Sequence, residues 1–127
     1  MTQSQAVKYW LESAKKDIKT ANDSYKTGHF DWCLFIWQLV IEKTLKGLIA
    51  KKNKQSLPIH DLLKLANAAG IKLNQENADW LNEITTFNIE ARYDDYKFSF
   101  YKKADKKYTT LWKKRCEEVY LWLRKGF

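Results

Sequence analysis

The chain has 127 residues, of which 45% are hydrophobic and 15% aromatic, including six Trp, and its formal net charge is +8. This length and composition predict one folded domain, residues 1–127, that buries a core without disulfides or metals, and they exclude a disordered tail. One Pro and four Gly leave few breaks, which favours long helices.

The first helix is predicted from near Ser4 to near Gly28, because apolar side chains recur every three or four residues from Val7 to Tyr25. Gly28 is a typical helix stop, and the short connection after it predicts that the next helix packs antiparallel to the first. That second helix, within residues 29–52, is apolar on almost every side, so we expect it at the centre of the fold.

Three polar residues interrupt the second helix at intervals of four: Gln38, Glu42 and Lys46. This spacing places them in one row on one helix face. The favoured interpretation is that the row faces solvent or a subunit interface. The alternative is that it lines a polar groove.

A short third helix is predicted from Asp61 to Gly70, and a fourth helix follows Asn74, which is a good N-cap. The periodicity lapses after Ala91, so an irregular segment is predicted through about Phe100. No strand pattern or internal repeat is present.

The last helix is predicted to begin near Lys102 and to continue to the end of the chain. Tyr120 and Trp122 lie off its core row, where exposed aromatic side chains often mark a subunit contact. The predicted fold is therefore all-α, an antiparallel up-and-down bundle of about five helices.

The positive charge is concentrated in this C-terminal part of the chain. Residues 97–127 contain ten Lys or Arg against three Asp or Glu, a net charge of +7, whereas thirteen against twelve leave the first 96 residues with +1. A localised basic surface attracts phosphate backbones or acidic partner proteins, although a well-solvated helix face has the same composition.

Cys33 and Cys116 lie on apolar helical rows, outside any CxxC or metal-binding spacing, so buried free thiols are expected. The chain has no glycine-rich phosphate loop and no His/Cys cluster, so no metal, no cofactor and no self-sufficient catalytic set are predicted. The absence of a signal peptide pattern predicts a cytoplasmic location, and the apolar run at residues 32–41 is too short to cross a membrane.

Five short motifs resemble the HEPN domain family, small helical bundles of bacteria and archaea that are often paired with minimal nucleotidyltransferases. The motifs are, in order, Ala14-Lys-Lys-Asp17-Ile18-x-x-Ala21, Gly28-x-Phe30 with Trp32-Cys33, Gln38-x-x-x-Glu42-Lys43-x-Leu45-Lys46-x-Leu48, His60-Asp61-Leu62-x-x-Leu65 and Ala91-Arg92-Tyr93-Asp94. Leu39 stands where the family usually has a second Gln, and Asp94 stands where it usually has Pro.

The resemblance implies a dimer, often with a groove at the subunit interface. The nuclease branch of the family cuts RNA without metal through an Arg-x4-6-His motif, in which His is the general base and Arg stabilises phosphate charge. Neither His29 nor His60 follows an Arg at that spacing, so the nuclease motif is absent.

Arg92 is the only Arg before position 115 and is the first candidate for binding phosphate, because its planar fork grips an anion at two points. The alternative is a structural ion pair with Asp94, Asp95 or Glu42. Glu42 with either aspartate also has the composition of an acid–base pair, but nothing in the sequence brings these carboxylates together.

Tyr93 and Tyr96 are candidates for stacking on a base or supplying a hydroxyl, although capping a core is the favoured role for both. His60 and Asp61 are weaker candidates. His60 is expected to cap or pack at the start of the third helix rather than to catalyse a reaction.

The function predicted first is a non-catalytic HEPN-type protein. It is expected to be a homodimer that binds a nucleotide, RNA or a minimal nucleotidyltransferase partner, and that does not act at a membrane. Its ligand groove would be formed by residues on the second helix and just after the fourth, namely Arg92, Tyr93, Asp94, Gln38, Glu42 and Lys46.

Two alternatives stay open. One is a metal-independent ribonuclease, the toxin of a toxin–antitoxin pair, in which Arg92 binds phosphate and Tyr93 or His60 moves the proton. The other is a pure protein-interaction module, in which Tyr120 and Trp122 matter more than Arg92.

Overall fold

The computed structural model describes residues 1–92 and 94–127, apart from the side chain of Asp94. Within this part of the chain there are six helices and no strand: α1 Gln3–Lys26, α2 Phe30–Lys51, α3 Leu62–Ala68, α4 Gln75–Arg92, α5 Asp94–Lys103 and α6 Lys106–Arg124. The all-α prediction is confirmed, with one helix more than expected. None of these helices combines the length and the apolar character that a bilayer crossing needs.

Helix α2 lies at the centre of the fold and contacts each of the other five helices. Most of its 22 residues are buried, and they include large side chains such as Trp37, Ile41 and Leu45. A helix that is apolar on nearly all sides requires neighbours on nearly all sides, so the predicted central position is confirmed.

Helices α1 and α2 run antiparallel, as the short connection between them predicts. The Gln3 side chain at the start of α1 donates a hydrogen bond of 2.6 Å to the Lys51 carbonyl at the end of α2. At the other end, the rings of Tyr25 and Phe30 lie 5.5 Å apart. Gly28 has a φ of +79°, a left-handed conformation that favours glycine, and the chain reverses there.

The segment after Ala91 differs from the prediction of an irregular connection, because residues 94–103 form helix α5. Phe100 is its one fully buried side chain in the described residues, so the segment lacks the repeated apolar positions that reveal a helix in a sequence. Helix α6 then begins at Lys106 rather than near Lys102. Asp105 sets that start, since its carboxylate accepts a hydrogen bond of 2.8 Å from the Tyr108 backbone.

An aromatic cluster centred on Phe87 fixes α5 against α4. The Phe87 ring on α4 lies 5.8 Å from Phe100, 6.2 Å from Tyr108 and 6.0 Å from Trp112. Glu83 on α4 adds polar contacts at the edge of this cluster, because it accepts a hydrogen bond from the Tyr108 hydroxyl and pairs with Lys103 at 3.1 Å. Burial and the neighbouring Glu83 carboxylate both raise the pKa of Tyr108, so its hydroxyl stays protonated.

The exposure of Tyr120 and Trp122 on α6 differs from the prediction. Tyr120 and Trp122 are half-buried and pack against the core instead of standing free. The exposed apolar side chains on this helix are Leu111 and Leu121. Leu111 and Leu121 are therefore further candidates for a contact on α6, beside Tyr120 and Trp122.

Both cysteines are buried free thiols, as predicted. Burial raises the pKa of Cys33 to about 12 and the pKa of Cys116 well above its usual value, because a thiolate loses its solvation in the core. Neither thiol has the depressed pKa of a reactive cysteine.

Candidate functional site

The polar row on α2 is buried inside the chain. Gln38 is 0% exposed, Glu42 5% and Lys46 7%, so the favoured interpretation, in which the row faces solvent or a subunit interface, is wrong. A buried carboxylate and a buried ammonium each lose several kcal/mol of solvation free energy unless partners compensate them. The row is therefore stable in the core only if its side chains have partners there.

Glu42 is the centre of a hydrogen-bonded network. Its Oε1 lies 2.8 Å from His60 Nδ1 and accepts a second hydrogen bond of 3.2 Å from Gln38 Nε2. Its Oε2 accepts a hydrogen bond of 3.0 Å from the Lys46 ammonium. The Lys46 ammonium also lies 5.5 Å from the centroid of the Trp10 ring on α1, which adds a cation–π contact. Both carboxylate oxygens are thus satisfied within the chain.

Gln38 connects this centre to helix α4. Its Nε2 also donates a hydrogen bond of 3.1 Å to the His60 carbonyl, and its Oε1 accepts one of 2.9 Å from Asn88. The Asn88 carbonyl oxygen in turn accepts a hydrogen bond of 3.4 Å from Arg92. One continuous chain of polar side chains therefore leads from the buried Glu42 to the exposed Arg92.

A shallow groove of about 410 Å³ lies over one side of this network. It separates the start of α3 from the last turns of α4, and its lining residues are Ile59, His60, Asp61, Lys64, Thr85, Asn88, Ile89 and Arg92. We call it the His60–Arg92 groove. Its cationic side chains are Lys64 and Arg92, and its one acidic side chain is Asp61, so the groove is suited to an anionic ligand.

Asp61 has a structural role at the rim of the groove. It is the N-cap of α3, and its carboxylate accepts a hydrogen bond of 3.1 Å from the Lys64 backbone. The capping role that the sequence suggested for His60 thus belongs to its neighbour. The start of α3 is also tied to α4, because the Leu62 backbone donates a hydrogen bond of 3.0 Å to the Thr85 hydroxyl.

His60 is held by Glu42 and remains half-exposed in the groove. Because an ionised carboxylate can only accept, the His60 nitrogen that faces Glu42 carries the proton and donates it. In the neutral imidazole the other ring nitrogen, Nε2, is then an acceptor. A histidine oriented by a carboxylate is the arrangement that general bases use.

The predicted ligand residues fall into two groups. His60, Asp61 and Arg92 line the groove, whereas Gln38 and Glu42 lie behind it and orient the residues of its wall. Lys46 is directed toward Trp10 and is occupied by Glu42, so it has no place in the groove lining.

The remaining candidates directly follow Arg92 in the sequence. Tyr93 and the side chain of Asp94 lie outside the described residues. Asp95 and Tyr96 are exposed on α5, so the favoured interpretation of Tyr96 as a core cap is wrong. Arg92 forms no ion pair with any side chain in the described part of the chain; Asn88 is its hydrogen-bond partner there.

Asn88 and the Glu42–His60 contact were not predicted from the sequence. Asn88 is buried at 2% exposure and lies four residues before Arg92, on the apolar side of α4. The only sequence feature that indicated it was an isolated polar residue on a core-facing side of a helix. Among the residues that the structure describes, no group of three or more His, Cys, Asp or Glu side chains is placed to hold a metal ion.

The chain is similar to known helical proteins over nearly its whole length. The family model of the HEPN domain matches residues 7–126. The crystal structure of TT1696 from Thermus thermophilus superposes with a TM-score of 0.82, covering 95% of this chain and 98% of that one at 17% sequence identity. At this identity the likeness establishes a common fold alone. No curated protein matches the sequence.

Proposed function

Because this chain belongs to the HEPN domain family, we propose that it is a non-catalytic helical binding protein that holds the phosphate of a nucleotide or of RNA in the His60–Arg92 groove. The observation that carries the proposal is the chain of hydrogen bonds from Glu42 through Gln38 and Asn88 to Arg92. Buried support of this kind orients an exposed guanidinium before a ligand arrives, which lowers the entropic cost of binding.

The charge of the chain supports an anionic ligand. Arg92 and Lys64 lie on opposite walls of the groove, and the net charge of +7 in residues 97–127 follows directly in sequence. The guanidinium offers a planar set of donors that matches two phosphate oxygens, whereas an ammonium offers a point charge. Arg92 is therefore the residue whose removal tests the proposal.

Arg92→Ala is expected to weaken binding of cellular RNA by about 10- to 100-fold, since one charge-assisted phosphate contact contributes roughly 1.5–3 kcal/mol. The measurement is a native gel-shift titration in EDTA. Lys19→Ala, which removes one positive charge from the exposed surface of α1, is the matched control and should bind like the wild type. Equal affinities for all three proteins would contradict the proposed groove.

A metal-independent ribonuclease is the second candidate, and the 2.8 Å contact between Glu42 and His60 favours it. In this reading the Glu42 carboxylate orients His60, whose Nε2 takes the proton from a ribose 2′-hydroxyl. The 2′-oxygen bonds to the adjacent phosphorus, the bond to the 5′-oxygen breaks, water supplies the proton to that leaving oxygen, and Arg92 stabilises the phosphate charge. The Arg-x4-6-His motif is absent, but a histidine and an arginine still line one groove.

Two histidine variants separate this candidate from the binding protein. If the protein cuts RNA in EDTA, His60→Asn should lower the rate by at least about 100-fold, the usual contribution of a general base. His29→Asn is the control, because His29 is an exposed turn residue that contacts Thr27 at 2.9 Å. Intact RNA after incubation with wild-type protein on a denaturing gel would rule out the ribonuclease.

We also propose that the protein acts as a homodimer and that a minimal nucleotidyltransferase is a partner. Leu111 and Leu121 on α6 are exposed apolar side chains that an interface of this kind would cover.

A further inference from the structure

Helix α5 presents an aromatic surface to solvent. Tyr96 is 52% exposed, Phe98 67% and Tyr101 63%. Three large exposed hydrophobic side chains therefore lie on one helix of ten residues. Phe98 and Tyr101 are three residues apart and therefore neighbours on one helix face. That face is turned away from Phe100, the side chain by which α5 is anchored in the core.

Lysines accompany these aromatic rings. The Lys102 ammonium lies 4.5 Å from the centroid of the Phe98 ring, so a cation and a ring are held together at the surface. Lys97, Lys106 and Lys107 are also exposed on α5 and at the start of α6. The acidic residues of α5 are confined to its first turn, and Asp105 is engaged as the N-cap of α6.

The composition of this surface favours nucleic acid over protein as the ligand. Protein interfaces are depleted in lysine, whereas residues 94–103 contain three lysines and no aliphatic side chain. Proteins that bind single strands combine positive charge, which follows the phosphates, with aromatic rings on which bases stack. A duplex has its bases stacked internally and offers no free face to such rings.

We propose that Phe98, Tyr101 and Lys102 form a base-stacking platform for single-stranded RNA. The platform rests on the proposed function, since it extends the path of an RNA whose phosphate is held at Arg92. Phe98 is six residues beyond Arg92, so at most about 22 Å of extended chain separates the two. A single strand of a few nucleotides is therefore long enough to reach both the groove and the platform, and the unpaired base is the feature that the platform recognises.

The test measures the affinity of a labelled single-stranded RNA of about 16 nucleotides, the upper end of a typical single-strand site, by fluorescence anisotropy in EDTA. The double variant Phe98→Ala/Tyr101→Ala should bind about 100-fold more weakly, roughly tenfold for each stacked ring. The dependence of affinity on salt should keep its slope, because no phosphate-binding cation is removed. Replacing both residues with Trp should restore binding.

The control is Tyr9→Ala/Leu57→Ala, which removes two large exposed side chains, one on α1 and one between α2 and α3, and should leave affinity unchanged. Wild-type affinity in the α5 double variant would overturn the platform, as would an equal loss on a duplex of the same sequence. A change in oligomeric state of that variant on size-exclusion chromatography would show a self-association surface instead.

Arg92→Ala in the same assay separates the two proposals. If Arg92→Ala weakens binding and the α5 double variant does not, the groove stands and the platform is wrong. If the α5 double variant alone weakens binding, the platform stands and the groove is wrong. If neither variant differs from the wild type, both are wrong. If the wild type binds no RNA, the platform is wrong and a nucleotide is left as the ligand of the groove.

Discussion

Glu42→Ala is expected to lower the free energy of unfolding by about 3–5 kcal/mol, the cost of breaking a buried ion pair by removing one partner. Glu42 accepts hydrogen bonds from Lys46 and Gln38 and contacts His60, and it is nearly inaccessible to solvent. Its removal leaves the Lys46 ammonium buried without a counter-charge and deprives the Gln38 amide of one acceptor. Urea denaturation followed by tryptophan fluorescence measures the change.

The matched control is Glu12→Ala. Glu12 lies 3.9 Å from Lys8 on the exposed side of α1, and surface pairs of this kind contribute little to stability, so the unfolding midpoint should stay in place. A double variant, Glu42→Leu/Lys46→Met, should recover most of the stability lost in Glu42→Ala, because apolar side chains of similar volume often replace a buried ion pair without cost. A Glu42→Ala variant as stable as Glu12→Ala would contradict the network.

The double variant also separates stability from function. It restores the packing of α2 but leaves His60 without its carboxylate partner and Gln38 without an acceptor at that position. If buried support orients the groove, the double variant should be stable and yet bind RNA more weakly. Stability and binding that recover together would instead assign the network to folding alone.

The sequence predicted the centre of the fold because α2 is apolar on most of its sides, and such a helix has few alternatives to a central position. It also predicted the row formed by Gln38, Glu42 and Lys46, since their spacing is a property of the helix itself. The environment of that row was not predictable in the same way. Periodicity shows which residues share a face, and only the packing of distant segments decides whether that face meets solvent or protein.

The candidate site illustrates this limit. His60 lies 18 residues from Glu42, and Asn88 lies 50 residues from Gln38, so no local pattern connects the members of the network. Taken alone, each residue is ordinary in the sequence, because His60 lies beside a helix start and Asn88 lies within α4. Arg92 was identified for a different reason, as the only Arg before position 115, and the structure places it in the groove wall.

Phe100→Ala is expected to lower the free energy of unfolding by about 3 kcal/mol, the smaller end of the range for a truncated buried phenylalanine. Phe100 is 1% exposed and is the side chain that anchors α5 to the Phe87 ring at 5.8 Å. Without it, α5 keeps the Lys103–Glu83 pair, which is partly exposed and too weak to hold the helix. We therefore expect residues 94–103 to lose amide protection in hydrogen exchange while α2 retains it.

Phe98→Ala is a matched control of the same residue type on the same helix, because Phe98 is 67% exposed. Its effect on the free energy of unfolding should stay within about 0.5 kcal/mol, as for most surface substitutions. Equal losses of stability or of amide protection in the two variants would contradict the inward orientation of Phe100.

The two phenylalanine variants also connect the fold to the proposed RNA binding. Phe100→Ala should weaken RNA binding although it leaves Phe98 and Tyr101 in the sequence, because a base-stacking platform requires a helix that is fixed in place. Phe98→Ala should weaken binding in a protein that is otherwise fully folded.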